Sequence, residues 1–270
     1  MAPIAGGEGV EVAERVGTDW DLAVSVAGEG PPVVLLHGLL TDSRVWTPLV
    51  AALEKDHTVV TIDTPGHGAS PPRGAYALDE EVAALLSTVD GLGLGRATWV
   101  GHSAGGMKAL RVALARPEDV SALVLVSTQP YAEPERTARP YLAMVEAATS
   151  WGVSEDLAEL MGRLNFGPSF LDTPAGREWV AHFRTVSGEA IAAPCTAVYT
   201  RDDISARLPS LTVPTLVVHG AADIPIRLRI AREYAALLPH GELVVLPDCG
   251  HTPPVERPRE LAAAVRRFLS

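Results

Sequence analysis

Short apolar runs rich in β-branched residues recur along the chain and alternate with stretches of helical periodicity. That alternation constrains the fold more than any other feature, because strands that stay apolar along their whole length must be covered on both faces. Candidate strands lie at residues 10–16, 22–27, 33–36, 58–62, 98–100, 122–126, 215–218 and 243–246, the later ones bounded by Gly, Pro or Asp. Between them the period changes. Trp46, Leu49, Val50 and Leu53 share one helical face, and Leu78, Val82, Leu85, Leu86 and Val89 repeat that spacing. Asp79, Glu80 and Glu81 sit at the start of the second helix, where its dipole favours acidic side chains. Leu261, Val265, Phe268 and Leu269 form a last amphipathic helix entered through Pro258. The pattern predicts an α/β protein with a mostly parallel sheet flanked by helices.

One stretch breaks the rhythm. Residues 129–211 contain no convincing strand, whereas Leu157, Leu160, Met161 and Leu164 keep helical spacing. At 270 residues the chain is long for one average domain and short for two. The expected organisation is therefore a core domain from residues 1–128 and 212–270, with residues 129–211 as a helical insertion. The 47% hydrophobic content supports a substantial core, and the net charge of −11 speaks against a nucleic-acid surface. The first residues lack the basic start and apolar stretch of a signal peptide, and no apolar run reaches bilayer-spanning length. Cys195 and Cys249 lack metal-ligand spacing and read as two thiols. These features lead us to expect a cytoplasmic protein with neither a nucleic-acid nor a membrane partner.

The segment "WVGHSAGGMKAL" at residues 99–110 sets Ser103 between an apolar run and a stretch of helix formers. Gly101 and Gly105 flank the serine at the spacing of a nucleophile elbow, a tight strand–turn–helix in which side chains at the glycine positions would clash. Such a turn presents the hydroxyl at the C-terminal edge of the sheet. A serine needs a base to take its proton. His251, in "LPDCGHTPPVE", follows the last strand and opens a loop able to reach that edge. His102 adjoins the serine and is expected to orient the turn, while His37 and His219 end strands as core histidines. The base in turn needs a carboxylate on its far nitrogen. Asp223, just past the strand at 215–218, follows Ser103 and precedes His251 in the order expected of this architecture. Asp248 is the rival acid, and Asp63 is expected to cap the "DTPGHGAS" turn. Backbone amides of Leu39, after His37-Gly38, and of Ala104 are the candidate oxyanion donors.

Taken together, "HGLL", "DTPGHGAS", "GHSAGG", "HGAAD" and "GHTPPVERP" resemble the landmarks of the α/β-hydrolase family, in order and over nearly the whole chain. The resemblance implies an eight-stranded sheet with a helical cap inserted after the sixth strand. It also implies Ser103, Asp223 and His251 as catalytic triad, with Leu39 and Ala104 donating to the oxyanion. Ser103 stands where haloalkane dehalogenases and epoxide hydrolases carry aspartate. The expected activity is hydrolysis of a small carboxylic ester or lactone with an apolar moiety, through an acyl-enzyme and without metal or organic cofactor. Two alternatives remain: a carbon–carbon bond hydrolase of ring-cleavage products or hydroxynitrile lyase, and a hydrolase-like ligand receptor. His37, Gly38 and His102 near the elbow, and Trp151, Phe166, Phe170 and Trp179 in the insertion, are the candidates for lining the substrate pocket. With Met144, Met161 and Phe183 they suggest an apolar pocket; the competing reading is that the insertion's aromatics form its own small core.

Overall fold

The computed structural model describes residues 20–270 and the strand pairing of Glu14–Arg15. Among the described residues eight strands form one sheet in the order β1-β2-β4-β3-β5-β6-β7-β8. They are β1 (Glu14–Arg15), β2 (Ala23–Ala27), β3 (Pro32–Leu36), β4 (Thr58–Ile62), β5 (Ala97–His102), β6 (Val120–Val126), β7 (Thr215–Gly220) and β8 (Gly241–Leu246). Only β2 runs against its neighbours; from β4 to β8 every pairing is parallel. Of the strand expected at residues 10–16, only Glu14–Arg15 falls among the described residues. The other expected strands are present, most of them longer by one to three residues.

Strand alternation divides the core in two. Val34, Leu36, Val60, Ile62, Trp99 and Leu123 pack on one face, against α2 (Leu78–Gly91) and α3 (Ala104–Ala115). Val33, Leu35, Val59, Val100 and Val124 point the other way. There they meet α1 (Thr47–Leu53) and the C-terminal helix (Pro258–Leu269). Burial on both faces is why these strands carry apolar residues on both sides of the sheet. The acidic start of α2 does more than complement a helix dipole. Glu81 is fully buried and its Oε1 lies 2.6 Å from Lys108 Nζ of α3, which clamps the two helices together beneath the elbow.

Between β6 and β7 the chain forms α4 (Glu135–Trp151), α5 (Glu155–Asn165), α6 (Pro168–Leu171), α7 (Pro174–Phe183) and α8 (Gly188–Tyr199), with no strand. The remaining helices are α9 (Leu228–Ala235), α10 (Pro253–Glu256) and α11, the Pro258–Leu269 helix already placed. Among the described residues no helix is long and apolar enough to cross a membrane.

Candidate active site

β5 ends at His102, and α3 begins at Ala104, so a single residue makes the turn. Ser103 adopts φ 51° and ψ −116°, a conformation that L-residues avoid. The surrounding contacts hold it there. Its amide donates to Val126 O at 2.9 Å, and its carbonyl accepts from Thr128 Oγ1 at 2.6 Å. Side chains at the flanking glycines would collide with backbone: a Cβ on Gly101 would lie 2.4 Å from Gly105 C, and one on Gly105 would lie 2.1 Å from Leu36 O. The two glycines are a steric requirement of the turn.

The Ser103 hydroxyl donates to His251 Nε2 at 2.9 Å, and His251 Nδ1–H donates to Asp223 Oδ2 at 2.8 Å. The direction of each bond follows from the acceptors available, since a carboxylate can only accept. Asp223 comes from the turn after β7 and its carboxylate is sealed from solvent. Its other oxygen, Oδ1, accepts from the Ile226 amide at 2.9 Å. His219, also buried, sends Nε2–H to Ile226 O and stands 3.4 Å from Asp223 Oδ2. Asp248, by contrast, is exposed, with its backbone at φ 48°.

A second buried carboxylate secures the loop that carries His251. Glu256 accepts from the amides of Gly250 (2.8 Å) and Thr252 (2.9 Å), on either side of the histidine. It also accepts from Gly167 N of the insertion at 2.8 Å, and Thr252 Oγ1 donates to Asn165 O. Glu256 and Thr252 thereby tie the His251 loop to the α5–α6 junction.

Ala104 follows Ser103 in the chain, and Leu39 shares the cavity wall with it. Ala104 is the first residue of α3, so its amide has no carbonyl within the helix to meet. Gly38 packs against the elbow: a Cβ there would stand 3.1 Å from Ser103 Cβ. The strand-end segment is braced from behind by histidines. His37 Nδ1–H donates to Gly38 O while Nε2 accepts from Thr64 N. His67 Nε2 accepts from the Leu40 amide. Burial, then the Lys108 charge, lowers His37 to about 4; burial and His37 lower His67 to about 3. Asp63 shapes the same region, accepting from Ser43 N and Ala69 N.

Ser103 and His251 open onto a cavity. Its walls include Leu39, Leu40, Met107 and Ile226 from the core, Tyr141, Met144 and Val145 of α4, Met161 and Leu164 of α5, and Val198 and Tyr199 of α8. Of the lining expected from sequence, Met144 and Met161 reach this cavity, and the rest is corrected here: His37, Gly38, His102, Trp151, Phe166, Phe170 and Trp179 do not. Trp151 is 85% exposed at the end of α4. Phe166, Phe170 and Trp179 pack with Phe183 into a core of the insertion itself. Large rings bury most area where helices close on one another, and here that place is between α5, α6 and α7. His37, Gly38 and His102 lie behind the elbow, His102 donating from Nε2 to His251 O at 2.7 Å. Burial, then the charge of His251, holds His102 well below the usual histidine range.

Glu256, Tyr141, Tyr199 and the polar trio Gln129, Glu133 and Arg201 on the cavity wall are contributors that sequence reasoning missed. Only Glu256 had a signal, its place inside "GHTPPVERP". Cys195 and Cys249 are free and buried, and burial pushes the Cys195 thiol up to about 12. Among the described residues, no group of three or more His, Cys, Asp or Glu is arranged to hold a metal ion.

A model of the alpha/beta hydrolase fold matches residues 31–258. A pimeloyl-[acyl-carrier protein] methyl ester esterase from Aliivibrio salmonicida is 27% identical over 248 residues, covering 90% of this chain and 93% of that protein. Among solved structures, a thermophilic esterase from Thermogutta terrifontis superposes with a TM-score of 0.87 at 25% identity, covering 96% of this chain and 97% of its own. The enol-lactonase from Burkholderia xenovorans LB400 superposes at 0.83 with 28% identity, over 92% of this chain and 96% of its own.

Proposed function

The chain belongs to the alpha/beta hydrolase fold family, and from that premise we propose that it is a serine-dependent carboxylic ester hydrolase, lactones included. The observation that carries this reading is the unbroken hydrogen-bond chain from Ser103 Oγ through His251 to Asp223, opening on a mostly apolar cavity. The likeness to esterases and to an enol-lactonase supports the class of bond.

In this reading Ser103 Oγ attacks the ester carbonyl carbon as His251 Nε2 takes its proton. Asp223 holds the imidazole in the tautomer with Nδ1–H and stabilises the cation that forms. The amides of Leu39 and Ala104 donate to the oxyanion, whose charge exists only as the tetrahedral species develops. His251 returns the proton to the leaving alcohol, leaving an acyl-serine. It then takes a proton from water, which attacks the acyl carbon; the bond to Ser103 Oγ breaks, the acid leaves, and His251 returns the proton to Oγ. For a lactone, alcohol and acid depart as one hydroxy acid. Helices α4 to α8 act as a cap, residues 129–211, over a core of residues 1–128 and 212–270, because α4, α5 and α8 roof the cavity that the core floors.

Ser103→Ala is expected to remove at least about a thousandfold of p-nitrophenyl ester hydrolysis, since triad members act as a unit. A fluorophosphonate should phosphonylate Ser103 of the unsubstituted protein with loss of fluoride, seen as the matching mass increase, and leave the variant unlabelled. Retained hydrolysis in a folded variant, or label at another residue, would overturn the assignment.

A further inference from the structure

Most of the cavity wall is apolar, but Gln129, Glu133 and Arg201 interrupt it. Gln129 Nε2 donates to Glu133 Oε2 at 3.0 Å, and Arg201 Nη2 donates to the same oxygen at 3.2 Å. Arg201 spends Nη1 on Val198 O at 2.6 Å, and its side chain is 1% exposed. Both donors use Oε2. Oε1 is left as an acceptor with no hydrogen-bond donor among the described residues, and it is not among the sealed polar atoms. Tyr141 and Tyr199 stack nearby with centroids 4.9 Å apart and planes at 8°. Burial is the main cause that raises both phenols, and the Glu133 charge adds to it, so that carboxylate is felt along this wall.

Charge decides what such a corner accepts. Arg201 is the one Lys or Arg side chain on the cavity wall among the described residues, and Glu133 already neutralises it. A ligand carboxylate would lose its hydration to meet a cation already engaged, beside a second anion. A hydroxyl or amide N–H would instead gain a charge-assisted bond to Oε1. We propose that the cavity selects esters carrying an uncharged hydrogen-bond donor that reaches Glu133, and disfavours esters carrying a free carboxylate at that position. The proposal rests on Ser103, His251 and Asp223 being the hydrolytic centre, because it names the class of ester they act on.

The test reads binding apart from turnover. Three methyl ketones of equal chain length, ending in a methyl, a hydroxymethyl and a carboxylate, are titrated calorimetrically into the Ser103→Ala protein. The hydroxyl compound should bind about tenfold tighter than the methyl one, and the carboxylate more weakly than either. Adding Glu133→Gln should reduce the hydroxyl advantage to about twofold or less and improve the carboxylate at least about tenfold relative to the methyl compound, because Arg201 then lacks its counter-charge. A carboxylate that binds as tightly as the hydroxyl compound while Glu133 is present would overturn the proposal. So would a hydroxyl advantage that survives Glu133→Gln. The ranking with Glu133 intact is decisive even where the second variant fails to fold. Failure of the hydrolytic reading looks different: it appears as ester turnover that persists in Ser103→Ala, whatever the three ketones do.

Discussion

Asp223 and Asp248 are both within a loop's reach of His251, and their surroundings give them different work. The Asp223 carboxylate is sealed, accepts from Ile226 N, and meets the imidazole at 2.8 Å. Asp248 is exposed in a left-handed turn, a conformation asparagine tolerates as well as aspartate does. Asp223→Asn should therefore cost about a thousandfold in kcat, because an amide nitrogen facing Nδ1 disfavours the needed tautomer and cannot stabilise the cation. Asp248→Asn should stay within about twofold of the unsubstituted enzyme, as expected of a surface substitution. Steady-state kinetics on one p-nitrophenyl ester compares both, and the reverse ranking would move the acid to position 248. At this scale much was legible. A serine between glycines, a histidine after the last strand and an aspartate between them in chain order all have strand ends as landmarks. Glu133 and Arg201 had none, because they stand 68 positions apart and meet only after helices α4 to α8 fold back.

The loop between β8 and α11 shows what an element must supply beyond its functional side chain. Its histidine is held by amides on both sides, and those amides converge on Glu256 together with Gly167 of the insertion. Hydrogen bonds to a charged acceptor contribute about 1.5–3 kcal/mol each, and three backbone amides meet on this one carboxylate. Glu256→Gln keeps the shape but forces an NH2 group against a backbone N–H. The expected result is a loss of about 2–3 kcal/mol in unfolding free energy. A fall of about tenfold in kcat should accompany it, with KM for a short ester little changed, because the loosened part is the base and not the cavity. A rise in KM with kcat intact would assign Glu256 to substrate binding instead. Strands and amphipathic helices were readable from periodicity because each buries a face of fixed period. The insertion's aromatics were not, since a ring's spacing says that it is buried but not against which partner. Phe166, Phe170 and Phe183 joined one another, while Met144 and Met161 reached the cavity wall as expected and met Tyr141 and Tyr199 there.

Across the whole molecule, the buried histidines set a pH limit on stability. His37 and His67 stay neutral in the fold down to about 4 and about 3, whereas in the unfolded chain they titrate near their ordinary value of about 6.5. Above that value neither state is protonated and stability is complete. Below it the unfolded chain binds protons that the folded chain refuses, so stability falls as the pH drops from about 6.5 toward 4. Each of the two should cost about 3 kcal/mol by pH 4. Urea midpoints measured from pH 8 to 4 should be level at first and then decline, less steeply in His67→Gln; a midpoint flat down to pH 4 would contradict this. Part of the molecule's order needs only local rules. Apolar strands demand cover on both faces, helical stripes provide it, and parallel connections place each strand's C-terminal end, with its Ser, Asp or His, along one edge. The α/β class, the helical stretch after the sixth strand and the order of Ser103, Asp223 and His251 were therefore determined by the sequence itself. What the tertiary structure alone decided is everything that depends on distant side chains meeting: the ion pair of Glu81 with Lys108, the amides gathered by Glu256, the cavity wall and its charged corner. Such contacts depend on how whole helices pack across the sheet edge, and packing carries no period along the chain from which it could be read.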